Sequence, residues 1–379
     1  MRIAWLGKKS PFCGNVSYGL AVTEALKERG HGISFIHFNT PSLQANSESH
    51  NDQEPEVALP YLVKSQMYTI PSPRASRELR ESLERFQPDL VHASLTLSPL
   101  DFRLPELCQQ LGVPLVATFH PPFDAGLRNI TAGGQQLTYQ LYASSLAKFD
   151  RVVVFSELQA ELLIRLGVAK STLAVIPNGV DPNIWRPGAS QLSERFRGKR
   201  VFLYMGRLAT EKNVEALLRA WKLVQLPGCV LVVVGDGPLR QALQANYSND
   251  DVIWWGYEAD QAVRLALLQV AEVFMLPSLV EGLSLALLEA MASGTACVAT
   301  DAGADGEVLE GGAGIVISTQ GVTTQLRTLL PVLREQPILS RELGRRARER
   351  VLERYTLKGN IDALEQLYTD LISPIPLAA

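Results

Sequence analysis

The chain has little cysteine, no long apolar run and no large excess of either charge. Its four cysteines, Cys13, Cys108, Cys229 and Cys297, are scattered and form no CxxC pair. This argues against a disulfide scaffold and favours reduced thiols in a cytosolic compartment. No stretch approaches the roughly 20 apolar residues of a membrane-spanning helix. The opening MRIAWLGKKS runs straight into a strand pattern and lacks the apolar core of a signal peptide. Any membrane contact is therefore expected to be peripheral. A formal net charge of −3 gives no global reason to expect nucleic-acid binding. Asp236, Asp301 and Asp305 make no paired carboxylate site, so no required divalent metal is expected.

What is present is alternation. Short β-branched and aromatic runs are separated by longer amphipathic segments, and the pattern occurs twice. The first half holds RIAWLG, ISFIHF, DLVHAS, PLVATFH, RVVVFS and LAVIPNG; the second holds VFLYMG, VLVVVGDG, VIWWGY, EVFMLP, ACVATD and AGIVI. Continuous apolar strands between helices imply parallel sheets covered on both faces. A chain of 379 residues is also too long for one ordinary core. The expected fold is α/β, with two doubly wound, Rossmann-like domains facing across a cleft. The expected limits are residues 1–180 for the first domain and 181–355 for the second. Residues 356–379 are expected to form a closing helix packed back on the first domain. The turn-rich NGVDPNIWRPG lies in the presumed link from Asn178 to Phe196. The polar stretch Asn39 to Glu56 reads as an exposed loop.

The most informative segment is PSLVEGLSLALLEAMASG, Pro277 to Gly294. An apolar strand feeds a Gly-containing turn and then a helix with Ser284 as its N-cap. Unpaired backbone N–H groups and the positive end of the helix dipole make such a turn an anion site. Glu281 in the turn and Glu289 on the helix would flank the anion and accept hydrogen bonds from hydroxyls on either side of it. That is the layout needed to hold a nucleotide sugar.

Other candidates stand at the carboxyl ends of strands, where open α/β sheets bind ligands. GRLATEKN puts Arg207 and Lys212 five residues apart after VFLYMG, as a phosphate clamp and a point charge for a departing diphosphate. KKSPFCGNVSYG puts Gly14 and Asn15 at a helix start, a turn that serves equally as a plain connection or as a ligand loop. In PLVATFHPPFD, His120 directly follows the strand and reads either as a satisfied core histidine or as a ligand for a substrate hydroxyl, with Asp124 secondary to it. After GDGP and WWGY, the backbone N–H and C=O of Tyr257 are the groups best suited to read a nucleobase edge. Trp254 and Trp255 read as core. The arginine-rich run from Arg341 to Arg354 reads by default as a solvated helix face, with anionic lipid the alternative.

These pieces occur in one order: the first Gly loop, FH at His120, IPNGVD, GRLATEKN, GDGP and EGLSLALLEAMASG. Together they resemble the GT-B glycosyltransferases, in particular the retaining family four, over essentially the whole chain. The resemblance implies that Glu289 binds the ribose hydroxyls. It assigns the amides of Leu283, Ser284 and Leu285 to the diphosphate or donor sugar, and Glu281 to a donor-sugar hydroxyl. Arg207 and Lys212 would neutralise the diphosphate without metal, His120 would touch the donor sugar, and Gly14 would let the first loop approach it. Two departures stand out: Gly14-Asn15 replaces a Gly pair, and EGLS replaces EGFG.

KKSPFCGNVSYG and TFHPPFD further resemble cyanobacterial digalactosyldiacylglycerol synthases. That implies α-galactosyl transfer from UDP-galactose to monogalactosyldiacylglycerol, by a peripheral enzyme on the cytoplasmic face of a thylakoid or plasma membrane. A transferase for another acceptor, a GT-B sugar-nucleotide epimerase and a non-catalytic nucleotide-sugar-binding protein remain alternatives. The oligomeric state is not readable.

Overall fold

The computed structural model describes residues 1–9, 14–39, 56–65, 68–95, 97–123 and 130–373. Cys13, Asp124 and residues 40–55 of the polar stretch lie outside them. Two compact units emerge. The first comprises Met1–Pro121, Leu137–Ile176 and Asn360–Ala379; the second comprises Pro122–Gln136 and Pro177–Gly359. Against the expected limits of 1–180, 181–355 and 356–379, the second unit takes in residues 122–136, its main segment runs from Pro177 to Gly359, and the first unit takes the chain from Asn360 onward.

In the first unit the strands are β1 (Arg2–Leu6), β2 (Gly32–Phe38), β3 (Glu56–Leu59), β4 (Tyr61–Lys64), β5 (Thr69–Pro71), β6 (Leu90–Ser94), β7 (Leu115–Thr118), β8 (Arg151–Val154) and β9 (Leu173–Val175). Seven of them form one parallel sheet in the order β3-β2-β1-β6-β7-β8-β9. β4 and β5 make a separate antiparallel pair. In the second unit β10 (Arg200–Met205), β11 (Cys229–Val234), β12 (Val252–Gly256), β13 (Ala271–Leu276), β14 (Ala296–Thr300) and β15 (Ile315–Ile317) form a parallel sheet. Its order is β12-β11-β10-β13-β14-β15.

Both sheets are doubly wound. The strand order reverses beside the first strand of each, between β1 and β6 and between β10 and β13. At such a reversal the flanking loops diverge to opposite faces and leave a crevice at the carboxyl ends of the strands. All twelve apolar runs read from the sequence become strands of these sheets. Val230 to Val234 and Val152 to Val154 are almost wholly buried, as expected of strands covered on both faces. The strands that the apolar pattern did not reveal are β3, β4 and β5. They are short and partly exposed, so no apolar run marks them, and Glu56, expected in a loop, opens β3.

The core of the first unit contains a fully buried histidine. His92 on β6 stacks on Trp5, with ring centroids 4.1 Å apart. Both of its ring nitrogens are hydrogen-bonded, Nδ1 with Tyr368 Oη at 2.6 Å and Nε2 with Thr118 Oγ1 at 2.7 Å. Tyr368 comes from the helix Leu357–Ile372. Burial, reinforced by the neighbouring His120, lowers the pKa of His92 to about 3. The imidazole is therefore neutral in the fold.

The arginine-rich run lies on the helix Pro337–Arg354. Arg345 pairs with Glu342 and Glu349, and Arg346 pairs with Glu342. Arg348 and Arg350 turn to the carbonyls of Trp185 and Glu307. These partners leave the helix a laced surface rather than an open basic face. Among the described residues no helix is long and apolar enough to cross a membrane.

Candidate active site

The second unit concentrates its chemistry at the β10/β13 reversal. β13 ends at Leu276, and the helix Leu285–Ala292 starts eight residues after Pro277, with Ser284 as N-cap. The Ser284 hydroxyl accepts from the Leu287 amide at 3.4 Å, and its side-chain oxygen meets one of the orphan donors of the first turn. The helix is buried on most sides, from Leu287 to Ala292, rather than along one stripe. Its mouth keeps donors available. Among the described residues, the amides of Leu283, Leu285 and Ala286 donate to no acceptor. Unbonded N–H groups at a helix mouth, with the dipole behind them, suit a phosphate.

The Ser284 amide departs from expectation. It donates to Asp305 Oδ1 at 3.0 Å and is not open to a ligand. Asp305 is fully buried, and its Oδ2 has no partner among the described residues. Burial, with the neighbouring Glu281 carboxylate, pushes its pKa well above the ordinary value. The sequence reading considered Asp305 only as a metal ligand and missed this role. No periodicity marks the residue, because the partnership is made across two loops.

Glu281 is 7% exposed. Its Oε1 pairs with Lys212 Nζ at 2.5 Å and accepts from Ser278 Oγ at 2.7 Å. Two backbone contacts hold the turn itself. Phe123 N–H donates to the Glu281 carbonyl at 2.8 Å, and Leu279 N–H donates to the Glu211 carbonyl at 2.8 Å. The second contact ties the Lys212 loop directly to the Glu281 loop. Gly303 closes the far side at φ +57°. A Cβ there would lie 2.1 Å from the Glu281 carbonyl oxygen, so only glycine lets the backbones approach. Asn178, from IPNGVD, donates to the Leu283 carbonyl at 3.3 Å and orients the same turn.

Arg207 pairs with Glu211 in its own loop. Beneath it, the buried Tyr204 hydroxyl donates to the Arg207 carbonyl at 2.8 Å. GDGP packs against the Arg207 loop. Asp236 C=O accepts from Leu208 N–H, and Gly235 N–H donates to the Gly256 carbonyl. A Cβ on Gly235 would lie 1.9 Å from the Gly206 carbonyl oxygen, and one on Gly237 would lie 2.4 Å from that of Leu208. The motif therefore braces the Arg207 loop from behind. Tyr257 is exposed, and its backbone N–H and C=O bond to none of the described residues. Trp254 is half-buried, as is Trp255, which lies under the Arg195 guanidinium at 4.2 Å.

Glu289 is buried and pairs with Arg264, a residue the sequence reading did not single out. Burial pushes the Glu289 carboxyl pKa up, and Arg264 opposes that shift. Arg264 also lies over the Trp185 ring, 5.1 Å from its centroid.

In the first unit His120, Asn15 and Ser94 come together. Ser94, the last residue of β6, donates its hydroxyl to Asn15 Oδ1 at 2.8 Å and lies 2.8 Å from His120 Nε2. Asn15 Nδ2 donates to the Leu95 carbonyl. Tyr18 and Phe155 pack against the His120 ring. Burial, with the nearby Lys8 charge, lowers the His120 pKa far below its ordinary value, so the ring is neutral. A Cβ on Gly14 would meet none of the described residues within 4 Å, so packing does not demand glycine there. Ser94 was missed because a buried serine at a strand end has no sequence signature. Among the described residues no group of three His, Cys, Asp or Glu side chains converges on a metal position.

Comparison with known proteins agrees with this architecture. Residues 14–184 match the family model described as Glycosyltransferase Family 4, and residues 199–331 match Glycosyl transferases group 1. The chain is 25% identical over 312 residues to the Escherichia coli UDP-Gal:alpha-D-GlcNAc-diphosphoundecaprenol alpha-1,3-galactosyltransferase, covering 78% of each chain. Its fold is similar to that of sucrose-phosphate synthase from Thermosynechococcus elongatus, with TM-score 0.80, 21% identity and 98% of each chain covered. It is also similar to Anabaena HepE in complex with UDP-glucose, with TM-score 0.77, 19% identity, and 97% of this chain and 100% of that one covered. The fold is GT-B, with two Rossmann-like parallel-sheet units. Each part of the chain thus matches a glycosyltransferase model, residues 14–184 that of family 4 and residues 199–331 that of group 1.

Proposed function

We propose that the protein is a retaining hexosyltransferase that moves galactose from UDP-galactose to monogalactosyldiacylglycerol, giving digalactosyldiacylglycerol. The observation that carries the transferase reading is the Lys212–Glu281 pair beside the unpartnered amides of Leu283, Leu285 and Ala286. As the glycosidic bond to the donor breaks, negative charge grows on the departing diphosphate. Fixed donors and cations aimed at that charge stabilise the transition state more than the ground state. Lys212, Arg207 and the helix mouth supply this charge, so the reaction needs no divalent metal. Glu281 holds a hydroxyl of the sugar, Glu289 the ribose, and the Tyr257 backbone the base. In the first unit, the neutral His120 and its partners Asn15 and Ser94 are assigned to sugar hydroxyls, with Gly14 leaving room for close approach. No side chain is an evident double-displacement nucleophile. Front-face attack, with the leaving phosphate taking the acceptor proton, is the mechanism we favour.

The choice of donor is supported by the E. coli relative, whose name specifies UDP-Gal, an α-galactosyl product and a lipid-linked acceptor. The complex of HepE with UDP-glucose supports a uridine nucleotide. UDP-galactose carries an α-linked sugar, so an α product means retention. The galactolipid acceptor rests on the resemblance of the first-loop and TFHPPFD segments, and implies a peripheral enzyme on a cytoplasmic membrane face.

The test is a donor-by-acceptor screen that includes monogalactosyldiacylglycerol in micelles, run with and without EDTA, with linkage assigned by NMR. An α-linked digalactosyl lipid formed at equal rate in EDTA is the expected product. A different acceptor would replace the lipid assignment. A β linkage would overturn retention, and loss of activity in EDTA would overturn the metal-free reading. Conversion of UDP-sugar without acceptor would identify an epimerase, and donor binding without transfer would identify a binding protein.

A further inference from the structure

Glu289 carries the ribose in the proposed function, yet it is held in a way that function does not by itself require. Its Oε2 is engaged by the Arg264 guanidinium, while Oε1 accepts from none of the described residues. Arg264 sits on the helix Gln261–Val270, and its guanidinium also lies over the Trp185 ring. Trp185 is 4% exposed, and its carbonyl accepts from Arg348 at 3.2 Å, so the platform under Arg264 is itself fixed. A guanidinium held over an indole and hydrogen-bonded to a carboxylate has restricted rotational freedom. The carboxylate bonded to it inherits that constraint. One oxygen is occupied, and the other is left as the acceptor with a set direction.

We propose that Arg264, fixed on Trp185, is a positioning residue that orients Glu289 to accept the ribose hydroxyls and thereby makes the site select ribonucleotide over 2′-deoxyribonucleotide donors. This rests on the proposed reading that Glu289 meets the ribose. A carboxylate accepting a hydroxyl hydrogen bond discriminates strongly against a ligand lacking that hydroxyl, because the buried acceptor is then left without a partner. A carboxylate free to rotate, or to become neutral, loses most of that discrimination. Arg264 touches no reacting atom, and its effect is confined to the nucleoside end of the donor.

The experiment measures binding of UDP and of 2′-deoxy-UDP to the full chain by calorimetry, for the wild type and for Arg264→Ala and Arg264→Lys. The wild type should prefer UDP by on the order of 10-fold or more. Arg264→Ala should reduce the preference to within about 3-fold, by weakening UDP far more than the deoxynucleotide. Arg264→Lys keeps the charge but loses the planar fork, so its preference should be intermediate. The Lys variant also decides the matter if the Ala variant does not fold. A ratio equal to that of the wild type in the folded variants overturns the inference and leaves the transferase reading intact. Equal loss of both ligands overturns it as well, since Arg264 would then act on binding in general. No binding of UDP by the wild type overturns the donor reading itself.

Discussion

The two units have the same winding, but the candidate clusters at their strand ends are built differently. In the second unit the side chains at the reversal are charged and paired: Lys212 with Glu281, Arg207 with Glu211, and Arg264 with Glu289. In the first unit the cluster of His120, Ser94 and Asn15 is neutral and joined by hydrogen bonds alone. The backbones differ too. The second unit brings loops together main chain against main chain, through Gly235, Gly237 and Gly303. The first unit packs His92 and His120 among Trp5, Tyr18, Phe155 and Tyr368. A common fold thus supports two kinds of site. Fixed charge suits a ligand that carries and develops charge, while neutral hydrogen-bonding groups suit hydroxyls.

The largest effect expected from breaking this contrast is at Lys212. Lys212→Ala should lower kcat by roughly 10²- to 10³-fold with a smaller change in nucleotide affinity, as for loss of one preorganised charge partner. Steady-state kinetics beside direct binding measurements check this, and unchanged turnover would remove Lys212 from the mechanism. Next is the backbone brace. Gly303→Ala should cost more than about 3 kcal/mol, because a side chain at φ +57° would meet the Glu281 carbonyl at 2.1 Å. Urea unfolding measures it, and a loss under 1 kcal/mol would show that the two loops part easily.

A smaller effect separates the units by pH. The folded pKa of His92, about 3, lies below its unfolded value, so the unfolded chain takes up the proton first as pH falls. Stability is therefore full above about pH 6.5 and falls as pH is lowered from there toward 3. Between pH 6.5 and 5 this amounts to about 2 kcal/mol from His92. His120 adds a change of the same sign. Urea unfolding at several pH values should show the slope, and His92→Phe should flatten it. An unchanged slope in that variant would mean that other groups dominate. The smallest effect is at Tyr368→Phe, which removes the hydroxyl from His92 Nδ1 and should cost about 1 kcal/mol. A double-mutant cycle with His92→Phe checks that the loss belongs to this pair.

Much of the architecture was legible in the chain. Runs such as VLVVV and RVVV are continuous and β-branched, which only a strand covered on both faces satisfies. Ser284 before an apolar segment marked the helix start, and the N-cap geometry is present. The β4–β5 hairpin was not legible, because its residues are half-exposed and bury too little for a pattern to form. At the site, Lys212 and Glu281 were each visible as residues, but their pairing spans 69 positions. The engagement of the Ser284 amide by Asp305 and the clamp of Arg264 on Glu289 were invisible for the same reason. The backbone contacts of GDGP were not legible either, because a glycine turn looks alike whether it faces a ligand or a neighbouring backbone.

The amino-acid sequence alone determined the periodicities: the twelve apolar strands of the two main sheets, the segments between them, and the start of the helix at Ser284. These follow from local sterics and from burial, which act over a few residues. Tertiary structure alone decided which amide of the helix mouth is already occupied, which arginine holds which carboxylate, and which glycine admits a neighbouring carbonyl. Those outcomes depend on atoms distant along the chain meeting within a few ångströms, and short-range patterns carry no record of such meetings.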